Sequence, residues 1–305
     1  MTTSDNQDSC FLSFDAFREL IQLEVQKRLG CQYETSLISV CKNNSVHFDG
    51  LSIRKSGSSL GPNFYLNDSY QEYINGKEIE TLIKEVILEY HEFLRTTALP
   101  DDSMSFAFED IKEQIIYCLV GAETNQEILA DSPFIPYLDF AIIFQYLAAC
   151  GPHGISTVRI TNEHLGIWDT SVEELFYYAR RNTPRLLPFR IMKMSELLQF
   201  ASASPMQILT NRPGLQGASC ILYPNLLKEH AKELNSGFFL LPSSVHEFLI
   251  LPPSSHPLPA SSDELAQEKD ALSEIVRAMN ATQVKPEDVL THHAYYYDPI
   301  TETIG

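Results

Sequence analysis

Residues 154–188, GISTVRITNEHLGIWDTSVEELFYYARRNTPRLLP, constrain the fold more than any other stretch of the chain. An extended segment, a short turn of helix holding the only tryptophan, Trp168, and an amphipathic helix follow one another here. Thr170 and Glu173 have the spacing of a capping box, in which a hydroxyl and a carboxylate each satisfy an amide at the helix start. Leu175, Phe176 and Ala179 supply the buried face, and Asn182 with Pro184 predicts the helix end, since the residue before a proline avoids helical geometry. Trp168 reads as a packing residue beside that helix start.

The same alternation of isolated helices and short strands runs through the whole chain. Ser13 caps a helix with Phe14, Phe17, Ile21 and Val25 on one face, ending at Gly30. Residues 37–41 and 46–54 read as a hairpin around Lys42-Asn43-Asn44-Ser45, with a bulge where the phase shifts across Asp49-Gly50. A short strand follows at 63–66, and Ile79, Leu82, Ile83, Val86, Tyr90 and Phe93 form a strong helical stripe. The break at Leu99–Ser103 divides an N-terminal α+β unit, residues 1–100, from a C-terminal α+β domain, residues 101–305.

Beyond that break, strands are predicted at 114–120, 138–146, 155–161, 190–192, 206–210, 218–222, 237–241 and 245–251. The last two flank Pro242-Ser243-Ser244. A helix is predicted over 224–234, with proline in its first turn. Pro252–Ser261 reads as a semi-rigid linker to a final helix, capped by Ser261 and Glu264 and buried through Leu265, Leu272, Ile275 and Met279. Recurrent tight hairpins between single helices predict an α+β fold with mainly antiparallel sheets and flanking helices.

Composition narrows the function classes. The chain has 305 residues with a formal charge of −18, spread without long acidic blocks. Such a surface repels phosphate backbones and anionic membrane faces, so neither nucleic acid nor membrane is an expected partner. The charge reads as solubility rather than as an acidic mimic. No run has the length of a membrane helix, and the N-terminal MTTSDNQDSC lacks a basic region followed by an apolar one. A cytoplasmic location is expected. The six cysteines are scattered with no C-x-x-C pair, which predicts reduced, mostly buried thiols and no structural zinc.

Polar constellations are few. Ser243-Ser244-Val245-His246-Glu247 brings a hydroxyl, an imidazole and a carboxylate together, the ingredients of nucleophilic catalysis. On a strand, however, Glu247 points away from the face that holds Ser244 and His246. His91-Glu92 and His246-Glu247 lack the second histidine of a helical zinc motif, and the adjacent His292-His293 face opposite ways if extended. Asp139, set inside an apolar run, needs donors, for instance Arg185 or Arg190. Glycine-rich phosphate cradles are absent, and the serine-rich loop at 55–61 reads as a surface loop. Tyr295-Tyr296-Tyr297 is expected to pack alternate rings into a sheet. No cofactor and no metal ligand set is expected.

Four blocks carry a resemblance that spans nearly the whole chain: KNNSVHFDGLSIRK at 42–55, ITNEHLGIWDTSVEELFYYARRNTPRLLP at 160–188, LYPNLLKEHAKELNSGFFLLPSSVHEFLIL at 222–251 and NATQVKPEDVLTHHAYYYDPITE at 280–302. They resemble an uncharacterised bacterial family known only as a domain of unknown function. The middle block is also similar to a second uncharacterised bacterial family. The resemblance implies a bacterial, intracellular, single-function protein and carries no activity or catalytic residue. Two classes stay open: a non-enzymatic cytoplasmic binding or interaction protein, and a hydrolase-like enzyme with a dispersed site drawing on His246, Glu247 and Asp139.

Overall fold

A computed structural model of the chain describes residues 11–57, 61–96, 107–151, 154–197, 205–253 and 262–305. It is an α+β protein in which all strand pairings are antiparallel, gathered into three sheets. The chain divides into two compact units, Met1–Cys41 with His47–Ser105, and Lys42–Val46 with Phe106–Gly305. The Leu99–Ser103 break and most of the 252–261 linker, with the Ser261 cap, lie outside the described residues.

In the smaller unit, α1 (Phe14–Leu29) begins where the Ser13 hydroxyl accepts the Ala16 amide and ends at Gly30, whose φ of 84° suits glycine. Next come β1 (Tyr33–Cys41), β2 (His47–Lys55), β3 (Asn63–Tyr65), α2 (Asn67–Ile74) and α3 (Ile79–Thr96). Phe17, Ile21 and Val25 of α1 meet Leu51 and Ile53 of β2 and Leu82, Ile83 and Tyr90 of α3 in one core. The bulge expected at Asp49-Gly50 is absent, because β1 and β2 keep continuous register from Tyr33↔Lys55 to Cys41↔His47. The phase shift comes instead from two covered faces. Leu51 and Ile53 face the helices, while Phe48 packs on Tyr65, with Gly50 in the central strand where a Cβ would lie 2.6 Å from the Phe64 carbonyl oxygen.

The larger unit runs α4 (Phe108–Ile111), β4 (Ile115–Gly121), α5 (Gln126–Asp131), β5 (Phe134–Tyr137), β6 (Phe140–Gly151), β7 (Gly154–Arg159), α6 (Asn162–Trp168), α7 (Val172–Leu186), β8 (Phe189–Lys193), α8 (Met194–Leu197), β9 (Gln207–Asn211), α9 (Leu226–Leu234), β10 (Phe238–Ser244), β11 (Glu247–Leu251), α10 (Ser262–Gln283), β12 (Tyr295–Asp298) and β13 (Thr303–Ile304). β4, β5 and β7 all pair with the long β6, and a six-stranded sheet runs β13-β12-β10-β11-β9-β8. The main core lies between these sheets: Tyr117, Leu119, Phe140, Ile142 and Phe144 from one meet Leu209, Phe238, Leu240, Phe248 and Ile250 from the other. Tyr295 and Tyr297 join that core while Tyr296 packs under α10, so the three rings alternate across the sheet as the side-chain period of two requires.

Several local expectations give way to tertiary contacts. The α7 cap is Ser171, which accepts the Glu174 amide at 3.2 Å, and the Thr170 hydroxyl instead bonds the Glu174 carboxylate at 2.8 Å. Pro184 sits inside α7 rather than ending it. Asn182 and Thr183, both buried, tie that last turn to β4: Asn182 donates to the Lys112 and Ile115 carbonyls, and the Thr183 hydroxyl accepts the Tyr117 amide. These bonds hold the turn despite the missing proline N–H.

The predicted strand at 218–222 is a buried 3-10 turn over Gly217–Leu222. A Cβ on Gly217 would stand 2.3 Å from Thr210 Oγ1, so this segment crosses the sheet too closely to join it. α9 starts at Leu226, two residues after Pro224. On α10 the buried face is Leu272 and Val276 with partly buried Leu265, whereas Ile275 and Met279 are exposed. Leu265, Leu272, Val276 and the buried Asn280 keep the helical period as the predicted set does, but on a face turned partly around the helix.

The segment Lys42–Val46 is held in the larger unit by amides. Asn125, fully buried, accepts the Asn44 backbone amide at 2.7 Å and donates to Asn43 Oδ1 and the Gly121 carbonyl. Asn43 and Asn44 in turn donate to the Val289 carbonyl. Among the five described cysteines, Cys118 and Cys220 are buried, Cys41 is half-buried, and Cys31 and Cys150 are exposed, fewer buried than expected. Among the described residues no helix is long and apolar enough to cross a membrane.

Candidate functional site

Leu138 and Asp139 form the two-residue turn between β5 and β6, where Tyr137 pairs with Phe140. Leu138 takes a φ of 55°, a left-handed conformation that costs a non-glycine residue about 1–2 kcal/mol. The turn aims the Asp139 carboxylate at the segment leading into β12. There Thr291, His293 and Tyr295 all reach it: the Thr291 hydroxyl donates at 2.7 Å, His293 Nδ1 lies at 2.9 Å, and the Tyr295 hydroxyl donates to the other oxygen. The three side chains converge where the chain bends at His292 and then enters β12 at Tyr295. His292 points the other way, its Nδ1 3.1 Å from the side-chain nitrogen of Asn280.

Burial alone would raise the Asp139 carboxyl, but the bonds from Tyr295, Thr291 and His293 together hold it below the ordinary aspartate value. Tyr295 is driven the other way, upward, by burial and then by the bond to Asp139, so its hydroxyl stays a donor. An ionised carboxylate accepts only, which assigns the proton to His293 Nδ1 and leaves Nε2 as the lone-pair nitrogen. The His293 side chain is 61% exposed. This arrangement can take up or release a proton at Nε2. The Asp139 partner is therefore an imidazole and two hydroxyls, not Arg185 or Arg190. Arg185 donates to the Glu113 carbonyl at 2.8 Å instead.

His246 lies in the Val245-His246 turn between β10 and β11, not on the strand, because β10 extends to Ser244. Both ring nitrogens are engaged: Nδ1 accepts the Gln216 amide at 3.1 Å and Nε2 lies 3.2 Å from Asp288 Oδ1. The Ser244 hydroxyl accepts the His246 amide, and Thr210 donates to the His246 carbonyl. His246 thus braces a junction of three chain segments. Glu247 opens β11 opposite Ser244. His246 and Asp139 hydrogen-bond to separate sets of residues.

A cavity of about 420 Å³ is lined by Tyr137, Leu138, Tyr223, Tyr297 and the Lys228–Glu302 ion pair, and neither Asp139 nor His293 is among its walls. A groove of about 950 Å³ follows the outer face of α7, where Phe176, Tyr177, Arg180, Arg181, Pro184 and Arg185 line it with Glu113, Glu173 and Pro224. Among the described residues neither Arg180 nor Arg181 forms an ion pair, while the Arg181 guanidinium lies 5.6 Å from the centre of the Tyr177 ring. Burial of Tyr117, Leu175 and Ala179 behind the helix fixes which face remains outside.

A family model matches residues 14–299. The chain belongs to DUF5688, a family of unknown function. No curated protein and no solved structure matches the chain. The DUF5688 match takes in the Asp139–His293 pair, His246 and the whole α7 groove.

Of the three residues singled out from the sequence, only Asp139 meets a largely exposed imidazole. Its partners in this DUF5688 chain lie more than a hundred residues away, which no local pattern reveals. The signal that was there is the Thr291, His293, Tyr295 alternation. Sequence reading misses the α7 groove, because Phe176 reads as buried beside Leu175 and Ala179 and Pro184 reads as the helix end; the available signal is the spacing of Tyr177, Arg180 and Arg181 opposite Leu175 and Ala179.

Proposed function

We propose that this chain is a non-enzymatic binding protein of the bacterial cytoplasm that receives another protein along the outer face of α7. The α7 groove carries the reading. Aromatic and arginine side chains are enriched where proteins bind one another, and here they line one concavity of about 950 Å³ with Tyr177 58% exposed. The engagement of both His246 nitrogens supports it as well, because that imidazole has no lone pair left for proton transfer.

The test is a photo-crosslinking amino acid placed at Tyr177 of the full chain in its native host, with Ile275, also exposed, as the comparison position. A discrete protein adduct at Tyr177 that is absent at Ile275 is expected. Equal labelling at both positions, or none at Tyr177, removes the reading.

The Asp139–His293 pair favours a second reading, a hydrolase-like enzyme in which His293 Nε2 acts as the base. It requires turnover of an ester or amide substrate that is lost in both His293→Ala and Asp139→Asn while the fold persists.

A further inference from the structure

We infer that the segment received by the α7 groove is acidic, a stretch of protein whose Asp or Glu carboxylates meet Arg180 and Arg181 while an apolar side chain lies on Phe176 and Pro184. This rests on the reading of α7 as a binding face and names the chemistry of its occupant.

The groove residues Glu173, Phe176, Tyr177, Arg180, Arg181 and Pro184 form one helical stripe on α7. Their charges are unevenly committed. Arg185 is held by the Glu113 and Asn182 oxygens, with the Glu113 carboxylate at 4.0 Å. Glu173, at the helix start, is drawn below the ordinary carboxylate range by its own backbone amide and by the Ser171 hydroxyl. Arg180 and Arg181 remain, side by side and exposed, in a chain with 40 acidic and 22 basic residues. Carboxylates are therefore plentiful in the chain, yet among the described residues none pairs with these two guanidiniums.

A guanidinium presents a planar fork that matches a carboxylate with two parallel bonds. Stacking on Tyr177 restrains Arg181 before any partner arrives, which lowers the ordering cost of binding. The flanking Glu113 and Glu173 repel anions at the groove's margins, so the occupant's acidic residues fall between them. A nucleic acid or an anionic bilayer fits poorly, because its extended negative surface meets a chain of net charge −18 beyond the groove.

The experiment selects a random peptide library displayed on phage against the full chain, then measures binding of the most enriched peptide by fluorescence anisotropy. Enriched sequences dense in Asp and Glu beside an aromatic or aliphatic residue are expected. Replacing those acids with Asn and Gln, or using the R180E/R181E variant, should weaken binding at least about tenfold, the loss of one charge-assisted bond or more. R212E, outside the groove, should bind as the parent chain does.

Both arginines are exposed, so R180E/R181E should melt with the parent chain; the R180Q/R181Q variant provides the same reading should the charge reversal disturb the helix. Neutral or basic enriched peptides, binding that survives R180E/R181E, no enrichment at all, or displacement of the peptide by a single-stranded oligonucleotide would each overturn the inference. If adducts at Tyr177 persist while the selected peptides carry no acid, the chemistry fails and the binding face stands. If the adducts are absent too, the binding face fails as well.

Discussion

Asp139 Oδ2 and His293 Nδ1 stand 2.9 Å apart, although 154 residues of chain separate them. The turn at Leu138-Asp139 presents the carboxylate, and the segment leading into β12 delivers the imidazole, with Thr291 and Tyr295 bonding the two oxygens of the same carboxylate. Because the ionised carboxylate holds the Nδ1 proton, the lone pair of His293 sits on Nε2, and the side chain is 61% exposed. His246 has the opposite fate, with both nitrogens occupied inside its junction.

That contrast predicts which imidazole reacts. On brief exposure to diethyl pyrocarbonate, His293 should be modified ahead of His246 and ahead of His230, whose side chain is only 6% exposed. Peptide mapping by mass spectrometry reads the order. Modification of His246 before His293 would contradict the assignment of the lone pair.

Asp139 should make stability depend on pH. Its carboxyl is held below the ordinary value when folded, so its contribution is fully present above the unfolded value and is lost as pH falls through the folded one. Asp139→Asn should cost about 1–2 kcal/mol at neutral pH, a range kept low because the side chain is partly exposed. The gap between variant and parent chain should close as the solution is acidified below the ordinary aspartate range. Urea unfolding across pH measures it, and a gap that widens with acid would reverse the sign.

Asn125→Ala should be costly. The side chain is fully buried, accepts the Asn44 amide, and donates to the Gly121 carbonyl and Asn43, so truncation strands one buried and two half-buried partners. A loss of about 2–4 kcal/mol is expected in chemical denaturation. A change below about 0.5 kcal/mol, the range of ordinary surface substitutions, would mean that water replaces the amide at no cost.

The α10 face separates two neighbouring apolar residues. Leu272→Ala should destabilise by about 2–5 kcal/mol through a cavity beneath the sheet, whereas Ile275→Ala, 54% exposed, should stay within about 0.5 kcal/mol. Thermal unfolding of the two variants tests the register of the helix directly. Equal losses would place Ile275 back on the buried face.

The amino-acid sequence by itself determined the α+β class, the antiparallel hairpins, the Ser13 cap and Gly30 stop of α1, and the stripe of α3. Each is set within a few residues, by capping chemistry or by side-chain periodicity, and the alternation Tyr295-Tyr296-Tyr297 belongs with them. Only the tertiary structure decided that Pro184 stays inside α7, that residues 217–222 form a 3-10 turn, and that Asp139 meets His293 rather than an arginine. In each case the deciding partner is remote: Asn182 reaches Lys112 and Ile115, Gly217 lies against Thr210 and the His246 carbonyl, and Asp139 bonds a segment at the other end of the unit. Periodicity reports which face of an element is apolar. Which buried donor meets which acceptor is settled only when distant segments are brought within hydrogen-bond reach.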